Sequence, residues 1–357
     1  MHREIDRGIV IRRVPLVTSH SRNPIGRIAN YLSFGISVLG ASGFVRGADV
    51  VYVYATQMTA AIAPARWSRR NGLPFVLHVQ DLWPESITES SMVRGEATKR
   101  VVGAILNPWL KSIYRAAAAV VAIAPSMSRM LAERGSKPDS THYVYNWAEP
   151  EPRTTRGGDQ SEPPQGTHVL SVVYSGNLGE LQDLNVALHA AAQVHDLVGF
   201  ELLFYGSGVA EHGLRALADS LGLTNVHFRG RIPPDAMDEV YRRSDFQLVT
   251  LKNLDIFRGT IPSKLQSSLA FGVPVLSNVA GDVADLVNEH RLGLTCSPGN
   301  VESLARQFRH AYSMSSQERA EYGARARVFY EQEMSRARAI DQIERILMDA
   351  ARVGDKD

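Results

Sequence analysis

The stretch FRGTIPSKLQSSLAFGVPV, residues 257–275, reads as a loop, a short helix and the entry to a buried strand. Thr260, Pro262 and Ser263 are helix-start residues and Gly272 with Pro274 are stop signals, leaving room for about two to three turns. Within those turns Leu265 and Leu269 stand i, i+4 for a core, while Lys264 and Ser267 stand i, i+3 on another face. Free amides at the helix start and an ammonium in its first turn suit a diphosphate, with Arg258 placed to assist from the preceding loop. The competing reading is an ordinary surface helix carrying a solvated lysine.

Upstream of this segment, short β-branched runs alternate with helix-length connections. The second half reads HVLSVVYSG (168–176), FELLFYGSG (200–208), NVHFRGRI and DFQLVTLK (245–252), each followed by a helical pattern, then GVPVLSN and a helix after AGDVADLV. The first half repeats the theme with ADVVYVYA (48–55), LPFVLHVQD (73–81), AAVVAIAP (118–125) and THYVYNW (141–147). Near-continuous apolar runs of this kind predict parallel strands covered on both faces. Residues 148–167 are rich in Pro, Gly and charge, as an exposed linker should be. The expected organisation is α/β: a first domain over 1–150, the linker, and a second domain over 168–330. Both are Rossmann-like and doubly wound, and they face a cleft. A charged, amphipathic helical tail follows over 316–352, and residues 331–357 are expected to pack back toward the first domain.

The bulk properties narrow the functions. Lys and Arg total 39 against 37 Asp and Glu, a net charge of +2, so nucleic acid is not indicated as a partner. One cysteine, Cys296, excludes an internal disulfide framework and fits a reducing compartment, so the expectation is a cytoplasmic protein. The longest apolar run, near 116–125, is about half the length a bilayer span needs, and Met1 is followed by charged HREIDR rather than a signal-peptide core.

Ligands of open α/β sheets bind beyond the carboxyl ends of the strands, and the second half places glycines or basic groups there. Gly176 and Gly179 bracket Asn177 and Leu178 after one strand, Gly206 and Gly208 follow the next, and Arg231 with Ile232 follows a third. Glycine lets backbone approach a phosphate closely, although tight strand-to-helix turns need glycine for geometry alone. In the first half Gln80, Asp81 and Glu85 follow a strand. Asp81 reads either as a proton acceptor or orienting group near an acceptor hydroxyl, or as a cap of the next helix. His78 reads as a core histidine.

YSGNLGELQ, FYGSG, FRGRIPPDAM and the FRGTIPSK segment with GLTCSPGN resemble the nucleotide-binding half of retaining family 4 GT-B glycosyltransferases. HVQDLWPES and VYNW resemble their acceptor half. The likeness runs over nearly the whole chain. GTIPSK together with DLWPES is similar to the surface-polysaccharide branch that includes N-acetyl-L-fucosamine and fucosyl transferases. This resemblance implies a sugar nucleotide as donor, UDP favoured over GDP, no metal or other cofactor, and a lipid-linked or growing glycan as acceptor. It further implies that the Gly176–Gly179 loop lines the diphosphate, that Arg231 and Ile232 hold the base, and that Lys264 and Arg258 neutralise the phosphates. Thr260, Ile261, Pro262 and Ser263 would complete the donor loop. A pair of glutamates of the wider family has Gly259 and Ser267 in its places here, and serine at the second is a departure. One hydroxyl there would weaken ribose binding by about 1.5–3 kcal/mol against a carboxylate.

The resemblance also implies an initial β-α-β unit ahead of EIDRGIVIRRVPL, so the first domain is expected to lack it, with Met1 in a surface turn. RNPIGRIANYLSFGISVLG (22–40) and NPWLKSIYRAA (107–117) mix cations with aromatics. They read as core helices with snorkelling ends or as helices making peripheral contact with the inner face of the cell membrane. Two rival functions stay open: a non-catalytic remnant acting as a binding subunit, and a sugar-nucleotide 2-epimerase.

Overall fold

A computed structural model describes residues 2–18, 24–88, 93, 95–149, 169–233 and 236–354. Met1 and residues 150–168, most of the expected linker, lie outside them, as do Arg22 and Asn23. The chain divides into two compact units, Met1–Val144 with Ile340–Asp357, and Tyr145–Ala339.

The first unit opens with an antiparallel hairpin, β1 (His2–Asp6) and β2 (Ile9–Arg13). Its two-residue turn has positive φ at both Arg7 and Gly8 (49° and 84°), the backbone that matches hairpin twist. Helix α1 (Pro24–Leu39) follows. A parallel sheet is then built from β3 (Val51–Ala55), β4 (Phe75–Val79), β5 (Ala119–Ala122) and β6 (Thr141–Tyr143), paired in that order. Between them run α2 (Ile62–Asn71), α3 (Glu85–Thr88), α4 (Glu96–Ala116) and α5 (Pro125–Glu133). Because the order never reverses, right-handed crossovers put these connecting helices on one face of the sheet. Every residue of β4 and β5 is buried, as expected for interior parallel strands. At the β3 edge Tyr52 and Tyr54 remain exposed.

The second unit holds β7 (Leu170–Ser175), α6 (Leu184–Ala192), β8 (Phe200–Tyr205), α7 (Glu211–Ser220), β9 (Val226–Gly230), α8 (Met237–Arg243) and β10 (Phe246–Val249). It continues with α9 (Ser263–Ala270), β11 (Val275–Ser277), α10 (Asp282–Glu289), β12 (Gly293–Thr295), α11 (Val301–Ser313) and α12 (Ser316–Phe329). Its sheet is all parallel, with order β12-β11-β10-β7-β8-β9. The order reverses between β7 and β10, and there the crossovers leave on opposite faces and open a crevice beyond the strand ends. The core beneath is aromatic, with Phe200, Phe204, Phe246 and Phe308 fully buried.

The helical tail is not continuous. A π turn over Tyr330–Met334 and extended Ser335 separate α12 from α13 (Arg336–Gly354), and α13 from Ile340 onward belongs to the first unit. Strand β12 is an addition to the sequence reading, its three residues being too few to show a period.

Candidate functional site

Three strand ends of the second unit are laced together by backbone hydrogen bonds. The Gly176 N–H donates to Tyr205 O (2.8 Å), Leu178 N–H to Ser207 O (2.9 Å), and Gly206 N–H to Gly230 O (2.8 Å), one residue before Arg231. Gly176 and Gly206 hold φ of +134° and +140°, a region that penalises any side chain. A Cβ on Gly206 would also overlap the Gly176 carbonyl, so the two turns touch backbone to backbone. Leu178 points into the core. Gly208 packs against Leu178 O and the Asn177 side chain. Among the described residues the N–H groups of Asn177 and Gly179 donate to no acceptor, which leaves two unengaged donors at the β7 end.

Helix α9 brings its lysine to this loop. A Cβ built on Gly176 would lie 3.0 Å from Lys264 Cε and 3.3 Å from Nζ, so the side chain lies directly over the glycine. Nζ also sits 4.8 Å from the centre of the Tyr174 ring. Among the described residues no carboxylate pairs with Lys264, and burial lowers its pKa to about 8. Tyr174, which the sequence reading did not single out, donates from its hydroxyl to Asn177 O at 2.7 Å. Burial pushes its phenol up, so it stays neutral and donating. One residue thus supports the ammonium with its face and the glycine turn with its oxygen.

Ser267, one turn along, meets a different partner. Its hydroxyl lies close to the buried Tyr241 hydroxyl, which is also 3.4 Å from Ser175 Oγ at the end of β7. Ser175 in turn donates to Gln247 Oε1 (3.3 Å), and the Tyr241 ring stacks on Phe271 at 4.4 Å. The Ser267 hydroxyl therefore faces an internal polar network under the loop. Tyr241 and Gln247 could not be tied to it from sequence, because they lie 26 and 20 positions away on other elements.

The remaining candidates divide. Pro262 is the extended N-cap of α9 (φ −65°, ψ 142°) and Ser263 is exposed at its first turn. Ile261 is core, and Thr260 donates to Ile256 O at 3.0 Å. Arg258 is paired with Asp255 (3.3 Å) on an exposed turn. Arg231 is exposed and Ile232 half-buried just past β9.

In the first unit Asp81 stands exposed at the β4 end, where surrounding protein nevertheless raises its carboxyl pKa. It does not cap α3. The amides of Ser86, Ile87 and Thr88 donate instead to Leu82 O and Pro84 O. Glu85 is held bidentately by Arg134 (2.8 and 2.9 Å), which also donates to Trp83 O, so this residue braces the loop. His78 is buried and its Nδ1 meets the Tyr52 hydroxyl at 2.5 Å.

Two glycine turns in backbone contact, a lysine with no carboxylate partner among the described residues and a sheet with a switch point mark the second unit as Rossmann-like. Residues 162–329 match the family model of glycosyl transferases group 1, and residues 2–147 that of a glycosyl transferase 4-like domain. The chain is thus a glycosyl transferase 4-like domain followed by a group 1 domain, with the two Rossmann-like folds of GT-B glycosyltransferases. It is 26% identical over 243 residues to the probable glycosyltransferase WbjE of Pseudomonas aeruginosa, covering 66% of this chain and 59% of that protein. It is 24% identical to the putative colanic acid biosynthesis glycosyl transferase WcaI of Escherichia coli, covering 68% of this chain and 61% of that one. The matched part therefore spans about three fifths of these relatives' length. Among solved structures it is similar to Anabaena Alr3699/HepE in complex with UDP (TM-score 0.69, 17% identity, 92% of this chain and 84% of that one). It is also similar to the sucrose-phosphate synthase of Thermosynechococcus elongatus (0.71, 16%, 97% and 85%).

Proposed function

We propose that the second unit binds a nucleoside diphosphate sugar and that the protein transfers the sugar, with retention, to a lipid-linked or growing glycan at the inner face of the cell membrane. The observation that carries this reading is the Lys264 ammonium lying over Gly176 beside the free amides of Asn177 and Gly179. Such a cluster takes a pyrophosphate: two backbone donors and one desolvated cation, at a strand end where a helix begins. UDP is favoured over GDP, in line with the UDP complexes of Anabaena Alr3699/HepE. The relatives named for colanic acid biosynthesis support a polysaccharide acceptor.

In this reading Lys264 acts on the leaving group. As the bond from sugar carbon to phosphate oxygen breaks, negative charge grows on the diphosphate. An ammonium already partly stripped of water stabilises that charge more than it stabilises the intact donor. Asp81, its carboxyl pKa raised, orients the acceptor hydroxyl or takes its proton. The new bond forms on the face the diphosphate leaves, without a covalent sugar–protein intermediate. Arg231 and Ile232 flank the base, and Asn177, Gly206 and Gly208 shape the phosphate turn.

The network that faces Ser267 favours one second reading, a non-catalytic remnant that keeps a nucleotide site but turns nothing over, because a hydroxyl at this position holds a donor's ribose less firmly than a carboxylate would. Calorimetric titration with UDP and GDP, followed by hydrolysis of a panel of UDP sugars, separates the two. Micromolar UDP binding with slow sugar release supports the transferase, binding without release supports the second reading, and no binding of either nucleotide removes both.

A further inference from the structure

A lysine in the first turn of a helix stands against the positive end of the helix dipole, so its place there has to be enforced by something else. Lys264 is the second residue of α9, an eight-residue helix that rises about 12 Å. Leu265 and Leu269 are fully buried and Ser268 Oγ donates to Lys264 O at 2.5 Å, so two turns this short move as one piece. What happens at the carboxyl end of α9 therefore sets where its lysine lies.

That end is held by α12, which packs along α9. The last carbonyls of a helix lack partners within it. Here the Arg327 guanidinium of α12 supplies one, Nη1 donating to Ala270 O while Nε donates to Glu331 Oε1 at 2.6 Å. A cation at this end also meets the favourable pole of the α9 dipole. Beside the guanidinium the backbones themselves touch. A Cβ on Gly323 would lie 2.3 Å from Gly272 O, and one on Gly272 would lie 3.3 Å from Gly323 O and 3.5 Å from Arg327 Cβ. Glycine inside a helix lowers its stability against alanine, so Gly323 in the middle of α12 is accounted for by the approach it permits. The same junction reaches the loop by a second route. Phe271, between Ala270 and Gly272, stacks on Tyr241 at 4.4 Å, and the Tyr241 hydroxyl lies 3.4 Å from Ser175 Oγ, on the residue before Gly176.

We propose that Arg327 and Gly323 are positioning residues for the donor site: by clamping the carboxyl end of α9 they hold the Lys264 side chain over Gly176. The consequence for UDP rests on the donor reading above, whereas the placement of the lysine can be measured without nucleotide.

The test uses the full chain and follows the Lys264 titration by NMR of isotope-labelled lysine, with the Lys264→Met spectrum assigning the signal. Tyr174, whose ring faces the ammonium, stays neutral across the range because burial pushes its phenol up. In the parent the midpoint is expected at about 8. In Arg327→Gln and in Gly323→Ala it should rise toward the ordinary 10.5 as the ammonium leaves its place over Gly176 for water. Gly323→Ala changes no charge and favours helix, so a rise shared by both variants is neither the lost field of the guanidinium nor an unravelled α12. Should Arg327→Gln not fold, Gly323→Ala carries the test alone. Arg327→Lys, which can still donate to Ala270 O, should restore most of the parental midpoint. UDP binding by calorimetry should weaken about tenfold in Arg327→Gln and Gly323→Ala, the lower end of the loss expected on removing the charge. Midpoints that stay at the parental value in both variants overturn the proposal, even where hydrogen exchange shows a less stable second unit, because the clamp would then serve the fold alone. So does a loss of UDP affinity without movement of the lysine titration. Midpoints that rise in a protein whose parent form binds no UDP uphold the clamp and remove the donor reading.

Discussion

Replacing Lys264 by methionine separates what this side chain costs the folded protein from what it does for a ligand. Methionine keeps the stem that packs over Gly176 and Tyr174 but removes the charge. Burial holds the lysine pKa at about 8 against an ordinary 10.5. The folded state therefore binds fewer protons than the unfolded one between those values, and stability rises with pH across that window. Below about pH 8 the folded protein carries a desolvated ammonium, a cost of about 3 kcal/mol at most. Lys264 keeps some solvent contact, so screening reduces the expected gain in the methionine variant to about 1–2 kcal/mol at neutral pH. The same substitution should weaken UDP binding by about 1.5–3 kcal/mol, some ten- to 150-fold in Kd. Hydrogen exchange of β7 and α9 amides reads the stability of the second unit without assuming that the whole chain unfolds at once. Calorimetry reads the affinity. A variant that is less stable and binds UDP as tightly as the parent would refute the reasoning, since it would make the lysine a structural residue facing no anion.

Raising the pH from 7 to 9 should weaken UDP binding about tenfold, because the unliganded lysine loses its proton near pH 8 and binding must then take one up; titration in two buffers of different ionisation enthalpy measures that uptake. Gly206→Ala should prevent the β7 and β8 turns from closing, since its Cβ meets the Gly176 carbonyl, and should cost UDP binding more than tenfold by calorimetry. Tyr241→Phe should cost about 0.5–1.5 kcal/mol of second-unit stability by removing the buried hydroxyl that faces Ser175 and Ser267, while Ser267→Glu in the same background should tighten UDP if the freed position reaches a ribose. His78, buried and lowered to about 4, stays neutral in the folded state while the unfolded chain protonates near 6.5. Acid unfolding curves should therefore lose up to about 3 kcal/mol between pH 6.5 and 4, a slope that His78→Gln flattens.

The order of elements could be read from the chain because it is local information. Interior strands such as FVLHV and LSVVYS are apolar throughout, and turn residues such as Gly272 and Pro274 end the segments between them. The residues proposed for a phosphate turn could be picked out for the same reason: Gly176, Gly206 and Lys264 each sit beside a strand or helix end that marks them. What followed only from tertiary structure was which of them meet. Lys264 lies 88 positions beyond Gly176, and a parallel sheet with a reversed strand order brings them into contact. The partner of Ser267 was illegible because a hydroxyl's role depends on what faces it, here a tyrosine from α8. Arg258 is a cation whose pairing with Asp255, three residues earlier, was open to the sequence, while what else its guanidinium reaches was not. Periodicity in a sequence records which way a side chain points from its own element. The identity of the opposing atom belongs to the packing of elements distant in the chain, and in this protein the long-range fold decided it.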